Sequence, residues 1–126
     1  MKIYIVSGEK SGDLHGANLI TEIIKLNKKA SVRAFGGDKM KEAGAIVVKH
    51  IDDLSFMGIS KVIFNLKSIK RNLVFCKKDI LLYSPDLLIL IDYPGFNLKI
   101  AKFAKNNGIK VFYYISPKIW AWKRSR

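Results

Sequence analysis

The chain has one cysteine, three prolines, four arginines and ten acidic residues in 126. Each scarcity closes a route. A lone Cys76 excludes a disulfide framework and any multi-cysteine metal site, and it fits a reducing compartment. No stretch reaches the roughly 18 consecutive apolar residues of a membrane-spanning helix. The opening "MKIYIVSGEK" has one lysine and too short an apolar run for a signal peptide, so a cytosolic chain that begins on a buried strand is expected. Acidic residues are outnumbered by 23 basic ones, for a net charge of +13. Such an excess points to an anionic partner: nucleic acid, an acidic membrane surface or a phosphorylated substrate. It is equally what compositional drift toward Lys, Ile and Asn produces. The few arginines argue against base-edge or bidentate phosphate reading, and no aromatic-basic RNA motif is present, so nucleic acid is not expected.

What is present is an ordinary hydrophobic share of 49% in a length that suits one domain with a real core. The apolar residues alternate between two patterns. Residues 2–7, 31–37, 45–50, 86–92 and 109–116 read as short buried strands. Between them lie helical spacings: from about Asp13 to Leu26, a short stretch at 38–44 stopping at Gly44, a long one over 61–83, and one from Pro94 to about Asn107. Residues 51–60 show no clear periodicity. Strands alternating with helices predict right-handed βαβ units and a doubly wound, Rossmann-like parallel sheet of five strands. There is no internal repeat, low-complexity segment or linker. In such sheets ligands bind beyond the carboxyl ends of the strands. Here those ends are "SGEKSGD", "FGGD", "IDYPGFN" and "ISPKIWAW", the polar and aromatic parts of the chain.

The first of these lacks a dinucleotide fingerprint: its glycines, Gly8, Gly12 and Gly16, are spaced by four, and no P-loop is present. It still brings backbone N–H groups and a helix start toward a polar ligand. Glu9 would repel a diphosphate but suits sugar hydroxyls. Ser11 or Asp13 can cap the following helix, and a plain capped turn accounts for the same residues. Asp92 closes the most apolar strand at the sheet's rim. It is a general-base candidate there, or a cap for the helix at Pro94. Asp52 and Asp53 are adjacent and form no Asp-x-Asp element, so no metal-bridged diphosphate site is expected. His15 sits near the site and more readily packs than binds; His50 reads as surface. In 56–71, apolar residues cover more than one helical face and Lys61, Lys67, Lys70 and Arg71 line the edges. That suits an interfacial helix at an anionic bilayer, or a core helix with a solvated lysine face. Trp120 and Trp122 beside basic residues read as a crevice wall or an interfacial anchor.

Taken together, "SGEKSGDLHGANLI", "AFGGDKM", "LSFMGISKVI", "DLLILIDYPGFN" and "YYISPKIWAWKRSR" resemble, in order and spacing, the lipid-A-disaccharide synthase family of inverting glycosyltransferases. The resemblance covers nearly the whole chain. It implies a GT-B enzyme much longer than this chain, with residues 1–126 the N-terminal, acceptor-binding Rossmann-like domain and the nucleotide-binding domain absent. It implies condensation of UDP-2,3-diacylglucosamine with 2,3-diacylglucosamine 1-phosphate (lipid X) to the β-1,6-linked disaccharide 1-phosphate and UDP. No cofactor or metal is implied, because the UDP-sugar is a substrate. By the same resemblance Asp92 is the base. Gly8, Glu9, Ser11, Gly12, Asp13, Asn97, Ser116, Trp120 and Arg126 bind substrate, and Arg124 is a second candidate for a phosphate. Val62, Ile63, Phe64, Leu66 and Ile69 face acyl chains and the membrane. The implied place is the cytoplasmic side of the inner membrane, peripherally bound. His15 departs from the usually apolar residue of the motif. A different class, a non-catalytic α/β module holding an acylated sugar phosphate or an anionic membrane surface, fits the chain taken alone.

Overall fold

A computed structural model of the chain describes residues 1–54 and 62–114; of residues 53, 54 and 62–66 it describes the backbone only. Ten elements follow in order: β1 (Lys2–Val6), α1 (Lys10–Leu26), β2 (Ser31–Gly36), α2 (Asp38–Ala43), β3 (Ile46–His50), α3 (Ile51–Leu54), α4 (Val62–Tyr83), β4 (Leu87–Ile91), α5 (Pro94–Asn106) and β5 (Val111–Tyr114). The strands form one sheet in the order β3-β2-β1-β4-β5. Every pairing is parallel. This is the doubly wound α/β fold that the alternating pattern predicts. Strand order reverses between β1 and β4, which makes their carboxyl ends the switch point, the place where open α/β sheets bind ligands.

Each strand feeds both layers, because successive side chains point to opposite faces. Ile3, Ile5, Val32, Ala34, Ile89 and Ile91 turn to one face, where Ala17, Ile20 and Met40 from α1 and α2 cover them. Tyr4, Val6, Phe35, Leu88 and Leu90 turn to the other, under Leu73, Cys76 and Ile80 of α4 and Phe96, Ile100 and Ala104 of α5. Burial on both faces is why these strands are continuous apolar runs rather than alternating ones.

Two boundaries differ from the sequence expectation in ways that bear on the site. Helix α1 starts at Lys10, not near Asp13, so Ser11, Gly12 and Asp13 form a helical first turn rather than a loop. The polar start hides this, since periodicity registers only once apolar residues recur. The aperiodic stretch after β3 begins with the one-turn helix α3, too short for any period to show.

One polar group is built into the core on the α4 side. Asp79 of α4 takes both donors of the Arg33 fork, Nε and Nη2, each at 2.7 Å. Tyr4 donates its hydroxyl to the same carboxylate at 2.7 Å. Burial would raise the Asp79 carboxyl, but the hydrogen bonds from Arg33 and Tyr4 outweigh it and hold the group below the usual carboxylate range. The triad pins α4 to β1 and β2.

Candidate functional site

The site is assembled from the two strand-to-helix junctions that meet at the switch point. At the first, β1 ends in Ser7, whose buried hydroxyl donates to the Phe35 carbonyl at 3.1 Å. Gly8 follows, pressed against Tyr93: a Cβ there would lie 2.5 Å from the tyrosine ring. Gly12 brings the first turn of α1 down onto the strand ends, where a Cβ would meet Ser7 at 2.9 Å and Ile91 at 3.5 Å. Glu9 is the N-cap residue of α1 and makes no side-chain cap. Glu9 and Ser11 are exposed at the rim.

Asp13 lies elsewhere. It is buried, and its carboxylate accepts the backbone N–H groups of Gly37 (2.8 Å), Met40 (2.9 Å) and Lys39 (3.1 Å). It therefore caps α2, whose own N-cap is Gly37 and carries no side chain to do so. Gly37 makes the approach possible, since a Cβ there would sit 2.6 Å from the carboxylate oxygen. Met40 in turn fills the room left by Gly16 and Gly36. The "SGDLHG" and "FGGDKM" motifs are thus one interlock that fixes α1 against α2, and Asp13 is a positioning residue within it.

At the second junction, Asp92 is 4% exposed at the end of β4. Asp92 (φ 45°) and Tyr93 (φ 49°) are consecutive residues in the left-handed region. Such a pair costs on the order of 1–3 kcal/mol per residue and persists only when its surroundings enforce it. Here they do. The Asp92 carbonyl accepts Asn97 Nδ2 at 2.9 Å and the Tyr113 hydroxyl at 2.7 Å, and its N–H donates to Tyr114 O at 2.9 Å. Asn97 Nδ2 also approaches the Ile91 and Val6 carbonyls at 3.2 and 3.3 Å, which ties both strand ends together. Its Oδ1 is buried without a hydrogen-bond partner among the described residues. Pro94 occupies the helix start and Tyr93 stacks on Phe96 with ring centroids 5.0 Å apart.

The electrostatics also couple the two junctions. Burial raises the Tyr93 phenol, and the Glu9 charge raises it further. Burial likewise raises the Tyr113 phenol, with Asp92 adding to it. Glu9 and Asp92 therefore each lie near a tyrosine at the switch point, where both phenols stay protonated as hydrogen-bond donors.

Gly8, Glu9, Gly12, Asp92 and Asn97 come together at the switch point, and Ser11 stands at its rim. Asn97 acts on the backbone that carries Asp92. Ser116, Trp120, Arg124 and Arg126 lie outside the described residues. Val62, Ile63, Phe64 and Leu66 fall in the first turns of α4, with their side chains outside the description. Ile69 is half-buried and packs on the core beneath α4. His15 meets the Tyr114 ring at 5.4 Å, the packing role expected of it. His50 is more than surface: its ring lies 3.0 Å from Asp38 and accepts the Asp52 N–H at 3.1 Å, which helps turn the chain into α3. Sequence reasoning missed Tyr93 and Tyr113. Both stand in motifs quoted above, Tyr93 in "IDYPGFN" and Tyr113 at the start of "YYISPKIWAWKRSR", but only the folded chain brings the Tyr113 hydroxyl to the Asp92 carbonyl.

Fold and site define an open, all-parallel α/β domain with a buried aspartate and two tyrosines at its switch point. Within that class the chain belongs to the lipid-A-disaccharide synthetase family, whose sequence profile it matches over residues 3–126. It is 43% identical over 125 residues to the lipid-A-disaccharide synthase of Geobacter sulfurreducens, covering 99% of this chain and 33% of that protein. It is 44% identical over 124 residues to the synthase of Syntrophus aciditrophicus (98% and 32%) and 40% to that of Coxiella burnetii (98% and 33%). The chain thus spans about one third of the length of these relatives. Among solved structures it shares its fold with the C-terminal domain of a hydrogenase from Pyrococcus furiosus, with a TM-score of 0.64 at 14% identity over 90% of each chain.

Proposed function

We propose that this chain forms the acceptor-binding portion of an inverting glycosyltransferase that joins UDP-2,3-diacylglucosamine to 2,3-diacylglucosamine 1-phosphate. In this reading Asp92 takes the proton of the acceptor 6-hydroxyl as its oxygen attacks the donor's anomeric carbon. The bond from that carbon to the UDP oxygen breaks on the opposite face, and UDP leaves with the electron pair. Glu9 and Ser11 receive sugar hydroxyls at the rim, Gly8 and Gly12 let the backbone come close, and Asn97 with Tyr113 holds the Asp92 backbone in its strained geometry. Asp13 is assigned to scaffolding. The donor nucleotide falls to the part of the longer relatives that this chain does not span.

The observation that carries the reading is the doubly left-handed Asp92–Tyr93 turn, locked by Asn97 and Tyr113 at the switch point. A backbone strained in this way and over-determined by its neighbours is typical of functional sites. Among the described residues no helix is long and apolar enough to cross a membrane; contact with an acylated acceptor is proposed to occur at the cytoplasmic face of an anionic membrane, without a span.

Binding measured on the 126-residue chain tests the division of labour. The acylated glucosamine 1-phosphate should bind and UDP should not. Tight UDP binding with no binding of the acylated sugar would overturn the assignment.

A further inference from the structure

Tyr93 stands at φ 49°, in the left-handed region where a bulky side chain is disfavoured and glycine is not. Its side chain must offset that cost. Packing supplies part of the offset. The ring stacks on Phe96 with an interplanar angle of 14°. The Gly8 backbone presses on it so closely that a Cβ there would lie 2.5 to 2.7 Å from three ring carbons. Phenylalanine would pack in the same way, so packing does not account for the hydroxyl.

Tyr4, Tyr83 and Tyr113 bond their hydroxyls to Asp79, Ser31 and the Asp92 carbonyl. The Tyr93 hydroxyl has no such bond among the described residues. Nor is it a buried orphan there, since Asn97 Oδ1 is the single case. It is an accessible donor on a half-buried ring clamped by Phe96 and Gly8. An acceptor stands nearby. Glu9, the N-cap residue of α1, is exposed, and its carboxylate makes no cap. Its charge acts on the Tyr93 phenol, second to burial, and both keep the phenol protonated. A donor near a carboxylate selects its ligand by kind. A phosphate would be repelled by Glu9, and an ammonium would have no use for the phenol. A neutral hydroxyl both donates and accepts, so it satisfies the two together.

The acceptor sugar narrows which hydroxyl this is. In 2,3-diacylglucosamine 1-phosphate, ring positions 1, 2 and 3 are substituted, so only the 4- and 6-hydroxyls of the sugar are free. The 6-hydroxyl is assigned to Asp92. The 4-hydroxyl is its neighbour on the sugar, as Tyr93 is the neighbour of Asp92 in the chain. Resting on that reading of the substrate, we propose that Tyr93 and Glu9 recognise the acceptor's 4-hydroxyl: the phenol donates to its oxygen, and the Glu9 carboxylate accepts from its O–H. Tyr93 is then a specificity residue of this chain, and its side chain is kept at a strained position for that hydroxyl.

The test is a calorimetric titration of the 126-residue chain with 2,3-diacylglucosamine 1-phosphate bearing short acyl chains, and with its 4-deoxy analogue. Tyr93→Phe keeps the ring, its contacts and the net charge. It should weaken binding of the first ligand about five- to tenfold, with an unchanged melting temperature. The 4-deoxy ligand should bind the wild type more weakly by a similar factor, and it should bind wild type and variant alike, which a purely structural role for Tyr93 would not produce. Equal binding of the 4-hydroxyl ligand by both proteins would overturn the assignment while leaving the acceptor reading intact. So would a Tyr93→Phe penalty just as large on the 4-deoxy ligand. No binding of the 4-hydroxyl ligand by the wild type would overturn both.

Discussion

Gly8 and Gly95 are both glycines of strand-to-helix junctions, yet the residues around them give opposite expectations. A Cβ at Gly8 meets the Tyr93 ring at 2.5 to 2.7 Å, whereas nothing lies within 4 Å of one at Gly95. Gly8→Ala should force Tyr93 aside, at a cost of about 1–3 kcal/mol from overpacking. Gly95→Ala, inside α5, should stabilise by about 0.5–1 kcal/mol through helix propensity and a less free unfolded chain. Urea unfolding of the two variants beside the wild type measures both, and equal effects would show that Gly8 is not pressed on Tyr93. The same scale shows how a residue's type was legible while its task was not. Asp13 looked like a cap or a sugar ligand. It is a cap, but for α2, some two dozen positions away, and only the folded chain brings Gly37, Lys39 and Met40 to its carboxylate.

At the scale of elements, α4 is tied to the sheet by the Arg33–Asp79–Tyr4 triad. Breaking a buried ion pair by removing one partner typically costs about 3–5 kcal/mol. The Arg33 side chain is 29% exposed and can rehydrate, so Asp79→Asn should cost about 2–3 kcal/mol. Replacing both partners with apolar residues, Arg33→Met with Asp79→Leu, should recover part of that loss. The triad also sets a pH dependence. The Asp79 carboxyl is lowered in the folded state, so the unfolded chain binds its proton first. The triad's contribution is complete above the unfolded value, about 3.9, and is lost as pH falls through the lower folded value. Thermal melts from neutral pH down into this acid range should show a steeper loss for the wild type than for the double variant. A parallel decline in both would remove Asp79 as the cause. The elements themselves were readable because both-face burial writes continuous apolar runs and helices write three- and four-residue spacings. What was not readable was polar pairing across layers: Arg33 and Asp79 are 46 positions apart, and nothing local distinguishes them from the other charges.

For the whole molecule, the order of strands explains why the motifs that carry the family resemblance divide as they do. The reversal between β1 and β4 brings "SGEKSGD" and "IDYPGFN" to one crevice, while "FGGDKM" lies to one side, locked to α1 through Asp13 and Met40. The first stretch, read as a sugar-facing lip, is in fact split. Glu9 and Ser11 stand at the rim, Gly8 and Gly12 set close approaches, and Asp13 holds the scaffold. The sheet's crossover was deducible from the alternation of elements; the left-handed turn at Asp92 and Tyr93 was not, because neither residue is a glycine. The central claim is that this turn aims a catalytic base. Its most direct test is the turnover of Asp92→Asn in a full-length relative-sized enzyme carrying this domain, with circular dichroism to follow the fold. The account predicts a fall in kcat of about 100-fold or more with an unchanged spectrum and melting temperature. Near-wild-type turnover in a folded variant would contradict it.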